Sequence, residues 1–265
     1  MINNRNLRLI KDENDIFNLA AVSYIGDRED QQDSFGYSLK QDQGLVVVAD
    51  GMGGLESGKI ASEIAVENFI NHYNENFFSE EKIELLIEAA KKADEKVFGI
   101  KNKLGNHIKS GSTVVSIIIN RKSLIWCSVG DSRAYLFRGG ELVQITQDHN
   151  YHTVLLEKIN AGILSATEYE KEKTQGDALI SFLGIGNLSL IDFSESPIGL
   201  IKDDKIILMS DGLYKIVTDS EIARILENFN NVEEAIQALE MKARKNVNSS
   251  GKFRDNMTVA LIKIK

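Results

Sequence analysis

The sequence contains a single cysteine and a single proline, and it has few features of a secreted or membrane protein. One cysteine, Cys127, leaves no disulfide framework, and its apolar neighbours predict a buried, unreactive thiol. No apolar run approaches the roughly 18 residues that a membrane helix needs. The first residues also lack the apolar core of a secretory signal. We therefore expect a cytoplasmic protein without a membrane segment.

An excess of basic residues is also missing, because the formal charge is -8 and the pI is about 5.2. Nucleic-acid backbones require a basic protein face, so we expect no nucleic-acid partner. A length of 265 residues, with 43% hydrophobic and 26% charged residues, is ordinary for one large soluble domain. No repeat or low-complexity linker interrupts it. The sequence predicts a single domain over residues 1–265 and a monomer.

Five aspartates stand where strand-like runs begin, end or turn: Asp33, Asp50, Asp131, Asp211 and Asp255. Residues 45–49 and 206–210 are short, mostly aliphatic runs, and an Asp-Gly pair directly follows each of them. Asp-Gly is also common in turns, so each aspartate taken alone favours a turn. Several carboxylates without a cysteine or histidine cluster favour magnesium, manganese or calcium over zinc or copper. Together the aspartates predict a site for divalent cations.

Strands and helices are predicted in blocks, which argues against a doubly wound parallel sheet. Apolar spacing predicts two consecutive amphipathic helices over residues 60–69 and 83–97. Three strands follow, at residues 113–119, 124–129 and 134–137. We expect them to form an antiparallel meander with the next strand. Two more helices precede the final strand, and residues 246–251 are expected to form a loop before Asp255.

Seven short motifs occur in a fixed order along the chain. They are Arg28 with Asp33, Asp50-Gly51-Met52-Gly53-Gly54, Gly111-Ser112-Thr113, Gly130-Asp131-Ser132-Arg133, Thr146-Gln147-Asp148-His149, Asp211-Gly212-Leu213, and Asp255-Asn256 with Thr258. From about Ala21 onward, this order resembles the metal-dependent serine/threonine protein phosphatases of the protein phosphatase 2C-like family, in the compact bacterial form. The resemblance implies an α+β fold, a four-layer α/β/β/α sandwich of two antiparallel sheets flanked by helix pairs.

The resemblance also implies an activity, which is hydrolysis of phosphoserine and phosphothreonine in proteins by a water activated at a dinuclear manganese or magnesium centre. Phosphorylated proteins would be the substrates, and a serine/threonine kinase would oppose the enzyme. Two alternatives stay open. One is a regulatory or binding module that keeps the fold without turnover, although the aspartates Asp50, Asp211 and Asp255 argue against it. The other is a phosphoesterase that acts on small molecules.

The same resemblance assigns a role to each predicted metal ligand. Asp50 would bridge the two metal ions, Asp211 and Asp255 would complete one ion, and the Gly51 carbonyl would serve the other. Asp131, together with Asp211, matches the position of a third, weaker metal site in bacterial members. The motif around Asp131 is equally suited to a hairpin turn, in which this aspartate pairs with the arginine two positions later.

Arg28 and Asp33 are expected to act beside the metals. The planar guanidinium of Arg28 would bind two phosphate oxygens. The alternative for this arginine is a surface salt bridge with Glu29 or Asp30. Asp33 would hold a water at the centre. Gln31 stands where the bacterial motif usually has asparagine, and this longer side chain would orient Arg28 or Asp33.

Residues 150–187 correspond to a variable flap rich in charge. Metals and one arginine recognise only the phosphoryl group, so we expect the flap to select among phosphoproteins. We interpret His149 as a hydrogen-bonded structural residue, and the alternative is a general acid. His149 and His152 lack a third ligand for zinc. Met52 stands where some relatives place a proton-donating histidine, which leaves the general acid unassigned. Residues 111–113 are expected to begin a strand near the site.

Overall fold

The computed structural model describes residues 7–53, 57–102, 104–250 and 255–265. Among these residues, two antiparallel sheets lie face to face, and helices cover the outer face of each sheet. No helix of the described chain is both long enough and apolar enough to cross a bilayer.

The first sheet, sheet 1, is built from strands that are distant in sequence. Its spatial order is β1 (Leu7–Glu13), β2 (Phe17–Tyr24), β13 (Met257–Ile264), β12 (Lys205–Met209), β8 (Arg133–Arg138) and β9 (Glu141–Gln144). Each neighbouring pair is antiparallel. Strand β13 therefore lies in the middle of the sheet, where it pairs on both sides.

The second sheet, sheet 2, contains the most continuous apolar runs. Its spatial order is β10 (Asp192–Phe193), β7 (Ser123–Val129), β6 (Val114–Asn120), β4 (Gln43–Gly53) and β3 (Asp33–Leu39), with β11 (Ile198–Gly199) also on β7 and β5 (Ser110–Ser112) on the end of β4. Residues 45–48 and 114–119 are buried throughout, because both faces of these strands are covered.

The helices complete the layers on both sides. They are α1 (Ser57–Glu75), α2 (Lys82–Phe98), α3 (Tyr151–Asn160), α4 (Ala166–Glu172), α5 (Asp211–Tyr214), α6 (Asp219–Asn228) and α7 (Val232–Ser250). One apolar cluster joins α1 and α2 to sheet 2, a second fills the space between the sheets, and a third joins α6 and α7 to sheet 1. This arrangement is the predicted four-layer α/β/β/α sandwich, so the fold prediction is confirmed.

The predicted meander is wrong at one point. Strands β6 and β7 form one hairpin, and β8 and β9 form another, but β7 belongs to sheet 2 and β8 to sheet 1. The chain crosses between the sheets at residues 130–132. A local turn signal does not specify which sheet the next strand joins, because that choice depends on the pairing of β8 with β12.

The predicted loop over residues 246–251 is also wrong for its described part, since α7 continues to Ser250; Gly251 lies outside the described residues. Asn246 donates hydrogen bonds to the Ile216 carbonyl at 2.9 Å and to Glu221 at 3.1 Å. Val247 is 6% exposed. Tertiary contacts therefore override the weak helix propensity of this polar stretch.

Candidate active site

A cleft of about 460 Å³ brings most of the predicted site residues together. It is lined by Arg28, Gln32, Asp50, Gly51, Met52, Thr113, Asp131, Asp177, Leu179, Phe182, Asp211, Lys215, Asp255 and Asn256. Asp33 lies behind it, where it pairs with Asp50 across β3 and β4. All the predicted residues therefore lie in or directly behind one cleft, although their roles stay predictions.

A larger cavity, of about 770 Å³, opens between β1, β3 and α1. Its walls are mostly apolar, and Asp33 alone of the five predicted aspartates lines it. The other four aspartates line the smaller cleft. Because phosphoryl chemistry needs several charges at one point, we take the smaller cleft as the candidate active site.

Asp50 is held through its backbone rather than by a strand end. Strand β4 continues beyond it to Gly53, although we expected a strand tip at this position. The Asp50 N–H donates to the Thr113 hydroxyl at 3.1 Å, and the Thr113 N–H donates to the Asp50 carbonyl at 2.8 Å. The Ser112 hydroxyl donates to the same carbonyl at 3.1 Å. The strand start predicted at residues 111–113 thus fixes Asp50.

The glycines of both Asp-Gly pairs are explained by close backbone packing. A Cβ atom at Gly51 would lie 2.0 Å from the Gly58 carbonyl oxygen. A Cβ atom at Gly212 would lie 2.0 Å from the Asn256 carbonyl oxygen. Gly51 belongs to a strand and Gly212 to a helix, so neither pair forms the turn that the dipeptide suggests. In each Asp-Gly pair, the glycine lies where a second backbone segment packs too closely for a side chain.

Arg28 reaches across the cleft to Asp255. Its Nε and Nη2 atoms each lie 2.6 Å from one oxygen of the Asp255 carboxylate. This bidentate pair joins residues 227 positions apart, in contrast to the alternative of a local salt bridge with Glu29 or Asp30. The guanidinium is therefore already placed beside a predicted metal ligand.

Asn256 is a site residue to which the sequence assigned no role. Its Oδ1 accepts the Gln32 N–H at 2.8 Å, and its Nδ2 donates to the carbonyls of Ile25 at 2.8 Å and Asp30 at 3.1 Å. Both ends of the loop that carries Arg28 are thus tied to one amide. In the sequence, the signal for this role was an asparagine directly after the predicted metal ligand Asp255.

Asp33 is 5% exposed and lies among polar groups of both sheets. Its Oδ2 accepts the Ser210 hydroxyl at 2.7 Å, whereas its buried Oδ1 has no hydrogen-bond partner in the described part of the chain. Burial raises the pKa of Asp33 to about 7. Gln31 accepts the Asp33 N–H at 3.0 Å and donates to Ser23 at 2.8 Å. Of its two expected partners, Gln31 therefore orients Asp33.

A lysine that the sequence interpretation missed lies beside Asp131 and Asp211. Lys215 Nζ donates to Asp211 Oδ2 at 2.8 Å and lies 3.5 Å from Asp177 Oδ2. Asp131, 5% exposed, accepts the Tyr214 hydroxyl at 3.1 Å, and burial raises the pKa of Asp131 to about 6. Burial acts to lower the pKa of Lys215, but the charge and hydrogen bond of Asp211, together with the charges of Asp131 and Asp177, outweigh it, so the pKa is raised.

The turn that carries Asp131 is fixed by contacts with the segment around Asp148 and His149. Arg133 binds Asp148, with Nη2 and Oδ2 2.7 Å apart, and its guanidinium lies 3.7 Å from the Tyr214 ring centre. The alternative of a local pair between Asp131 and this arginine is therefore not what the structure shows, since Arg133 binds Asp148. His149, 3% exposed, accepts the Gly130 N–H on Nδ1 at 3.2 Å. Burial lowers the pKa of His149 to about 4, which agrees with its structural interpretation.

The end of the flap forms one wall of the cleft through Asp177, Leu179 and Phe182. Asp94, on α2 and 2% exposed, anchors the segment that follows. Its carboxylate accepts three backbone N–H groups, those of Gly184 at 2.7 Å, Gly186 at 3.1 Å and Leu188 at 3.2 Å. An acid among the buried positions of a helix was the sequence signal for this anchor.

The acidic residues of α4 act locally. Ser165 caps the helix, and Glu168 completes a capping box with it. Glu170 pairs with Lys173, and Glu172 accepts the Tyr151 hydroxyl. None of the three glutamates lines the cleft as described. The charge of the flap thus stabilises its own helices, and its contribution to the site comes from the later segment.

The cleft residues fit a divalent cation by chemistry, since they offer carboxylates together with the backbone of Gly51. Burial, with the charges of Asp33 and Asp211, raises the pKa of Asp50 well above its usual value. Asp33 Oδ1 is buried, and no group of the described segments forms a hydrogen bond with it. No three histidine, cysteine, aspartate or glutamate side chains of the described residues already form a metal cage. Asp255 faces Arg28, and Asp211 faces Lys215.

Comparisons with known proteins agree with this geometry. The model of the family "Protein phosphatase 2C" matches residues 22–246. A serine/threonine phosphatase stp of Listeria monocytogenes is 29% identical over 239 residues, which cover 89% of this chain and 90% of that protein. The solved serine/threonine phosphatase of S. agalactiae is 26% identical, with a TM-score of 0.80, and the match covers 94% of this chain and 100% of that chain.

A further solved structure is the catalytic domain of the serine threonine protein phosphatase PstP in complex with 2 manganese ions. It is 24% identical, with a TM-score of 0.74, and the match covers 94% of this chain and 98% of that chain. At this identity the likeness shows the fold.

The sandwich, with its carboxylate cleft beside an arginine, has the architecture of a protein phosphatase. The family match spans most of the sequence, and the chain belongs to the protein phosphatase 2C family. This result confirms both the family and the enzyme class that the seven motifs predict.

Proposed function

We propose that this chain removes phosphate from phosphoserine and phosphothreonine in proteins and opposes a serine/threonine kinase. It would act as one catalytic domain over residues 1–265. The observation that carries the proposal is the meeting of four of the predicted aspartates and Arg28 in one cleft. The names of the relatives support the substrate class, since they are serine/threonine phosphatases.

Two manganese or magnesium ions are the proposed cofactors. Asp50, Asp211, Asp255 and the Gly51 carbonyl would hold them, and the PstP complex with manganese has the same fold. When bound, such ions stabilise phosphoryl oxygens as Lewis acids and supply a nucleophilic water near neutral pH. The oxygen-only donor set favours these hard cations over zinc.

The chain itself supplies orientation and charge. The Arg28 guanidinium lines the cleft and can bind two phosphate oxygens. Asn256 holds the loop of this arginine in place. The Oδ1 of Asp33, which has no partner among the described residues, can accept a hydrogen bond from a water, while its Oδ2 stays fixed by Ser210. Met52 cannot donate a proton to the leaving alkoxide, so that proton must come from another source.

The cofactor proposal is tested with chelator and metal. Activity on a phosphothreonine peptide should vanish with a chelator and return with manganese better than with calcium or zinc. Asp211→Asn should lower kcat by at least about 100-fold while the circular dichroism spectrum stays unchanged. Asp42→Asn, at an exposed position, is the matched control and should keep full activity. Full activity of Asp211→Asn would refute the proposed ligand set.

Substrate class is tested with three phosphoesters under the same conditions. A phosphothreonine peptide, a phosphotyrosine peptide and a small aryl phosphate differ mainly in the group around the phosphate. We expect the highest kcat/KM for the phosphothreonine peptide. A preference for the aryl phosphate would favour the alternative of a small-molecule phosphoesterase, and no turnover of any substrate would favour a binding module.

A further inference from the structure

The carboxylates predicted to hold a third, weaker cation already face hydrogen-bond donors of this chain. Lys215 Nζ lies 2.8 Å from Asp211 Oδ2 and 3.5 Å from Asp177 Oδ2. Asp131 Oδ2 accepts the Tyr214 hydroxyl at 3.1 Å. Three acidic side chains from three separate segments thus surround one ammonium and one phenol.

The local sequence explains how the lysine reaches this position. Helix α5 spans Asp211–Tyr214, and Lys215 is its C-cap residue. Residues four positions apart lie on the same side of a helix, so Asp211 and Lys215 face the same space. The Lys215 N–H donates to the Asp211 carbonyl at 3.1 Å, which closes this turn. Asp177 reaches the same ammonium from the flap.

An ammonium and a divalent cation compete for this place. The ammonium has three donors and no lone pair, so it cannot act as a metal ligand. A cation beside the Asp211 Oδ2 would lie within a few ångströms of Nζ, where two positive charges repel strongly. The side chain of Lys215 is 37% exposed, so solvent weakens this repulsion without removing it.

We propose that the Lys215 ammonium takes the place of the third divalent cation, so that this chain binds two metal ions and uses its own lysine as the third positive charge. The inference rests on the proposed function for the two core ions. Asp211 serves both purposes, because Oδ2 faces Lys215 and the carboxylate has a second oxygen for the core. The lysine also links the flap to the core through Asp177.

Manganese stoichiometry tests the inference without any activity measurement. The purified full chain is dialysed against manganese up to about 1 mM, and bound metal is counted by elemental analysis. We expect two ions per chain for the wild type. Lys215→Met should gain a third ion, bound at least about tenfold more weakly than the core ions because it shares the Asp211 carboxylate with one of them. Lys215→Arg keeps the charge and should stay at two.

Two further variants locate the gained ion. Asp131→Asn in the Lys215→Met background should return the count to two, because Asp131 lies outside the predicted core ligands. Lys171→Met, at an exposed position of α4, is the matched control and should stay at two. A gained ion that survives Asp131→Asn would overturn its assignment to this place.

Wild-type protein that binds three ions would overturn the inference even if every variant failed to fold. No gain in folded Lys215→Met, checked against folded Lys215→Gln, would overturn it as well. Wild-type protein that binds no manganese would refute the proposed function, and the inference with it. Failure of the inference alone is therefore distinguishable from failure of the proposed function.

Discussion

At the scale of single residues, the ion pair between Arg28 and Asp255 joins a predicted phosphate ligand to a predicted metal ligand. Both side chains are about half exposed, at 51% and 41%. Such a pair is weak in water, so its partners can exchange for stronger ones. We interpret this ion pair as the arrangement before substrate and metal bind, in which Arg28 and Asp255 orient each other in the cleft.

Replacing Arg28 should separate substrate binding from metal binding. Arg28→Ala should raise KM for a phosphopeptide about 10-fold or more, because a charge-assisted hydrogen bond contributes roughly 1.5–3 kcal/mol. Its manganese affinity, measured by calorimetric titration, should stay the same or increase, since Asp255 loses a competing cation. Arg28→Lys is the conservative control. A large loss of manganese affinity would instead mean that Arg28 organises the carboxylates.

His149 gives a pH dependence of stability with a defined sign. Its pKa is about 4 when folded and near 6.5 when unfolded, so the unfolded chain binds more protons between these values. Stability is therefore full above pH 6.5 and is lost as the pH falls. When the pH is lowered from 8 to 5, this histidine should reduce the free energy of unfolding by about 2 kcal/mol.

Urea unfolding of the wild type and of His149→Asn measures this contribution. Asparagine can still accept the Gly130 N–H, but it does not titrate. The difference between the two proteins should therefore change by about 2 kcal/mol between the two pH values. A difference independent of pH would contradict the assignment of a buried neutral imidazole.

The motifs revealed the aspartates of the site, but not the contacts that hold these aspartates in place. Each aspartate stands beside a glycine, a strand or an amide that is visible in the sequence. The contacts of three residues join segments that are distant in sequence. The Thr113 hydroxyl accepts the Asp50 N–H, Asn256 accepts the Gln32 N–H, and Lys215 lies beside Asp177. No pattern along one chain records such distances, so these partners required the structure.

At the scale of elements, the flap contributes to the cleft through its last extended segment. Phe182 lines the cleft and packs on Gly111, where an added Cβ would lie 2.7 Å from its ring. The segment is tied to β5 by paired hydrogen bonds between Ser112 and Leu183. Selection among phosphoproteins should therefore depend on this wall rather than on α4.

Phe182→Ala should lower kcat/KM for phosphopeptides about 5-fold or more, since an aromatic wall is lost. Turnover of a small aryl phosphate should stay within about twofold, which corresponds to roughly 0.4 kcal/mol in the barrier. The matched control is the triple neutralisation of Glu168, Glu170 and Glu172 to glutamine, which should affect neither substrate. Equal losses on both substrates would show that Phe182 supports the metal site and not substrate selection.

Helix periodicity predicted α1 and α2 well, because each presents a regular apolar face to sheet 2. The end of α7 was missed, since its polar residues are fixed by contacts with Ile216 and Glu221. The crossing from β7 to β8 was missed for a similar reason. Strand patterns indicate which face is buried, but they do not indicate which sheet a strand enters.

At the scale of the whole molecule, the cleft gathers negative charge that divalent cations should offset. Asp33 has a pKa of about 7 because it is buried. A carboxyl with a raised pKa contributes stability at low pH that is lost as the pH rises through the folded value. Without divalent cations, the unfolding free energy should therefore fall by about 1 kcal/mol between pH 6.5 and pH 8.5.

Urea unfolding with chelator or with manganese, at both pH values, checks this expectation. Manganese should stabilise the protein at both, and more at pH 8.5, because protons compete with the metal for carboxylates. Asp33→Asn is the control and should reduce the pH dependence seen with chelator, and the part that remains belongs to Asp50 and Asp131, whose pKa values are also raised. A stability with chelator that rises over this interval would contradict the buried position assigned to Asp33.

The central position of β13 affects when the enzyme can first work during its synthesis. A ribosome makes residues 257–264 after every other strand of sheet 1, yet β2 and β12 reach each other only through them. The nascent chain must therefore keep a gap in the sheet until this strand emerges. Asp255 and Asn256 arrive with it and complete the cleft. A ribosome-stalled chain that stops before residue 255 would carry Arg28 and Asp50 but have no phosphatase activity, so the order of synthesis itself delays the activity until translation reaches the last strand.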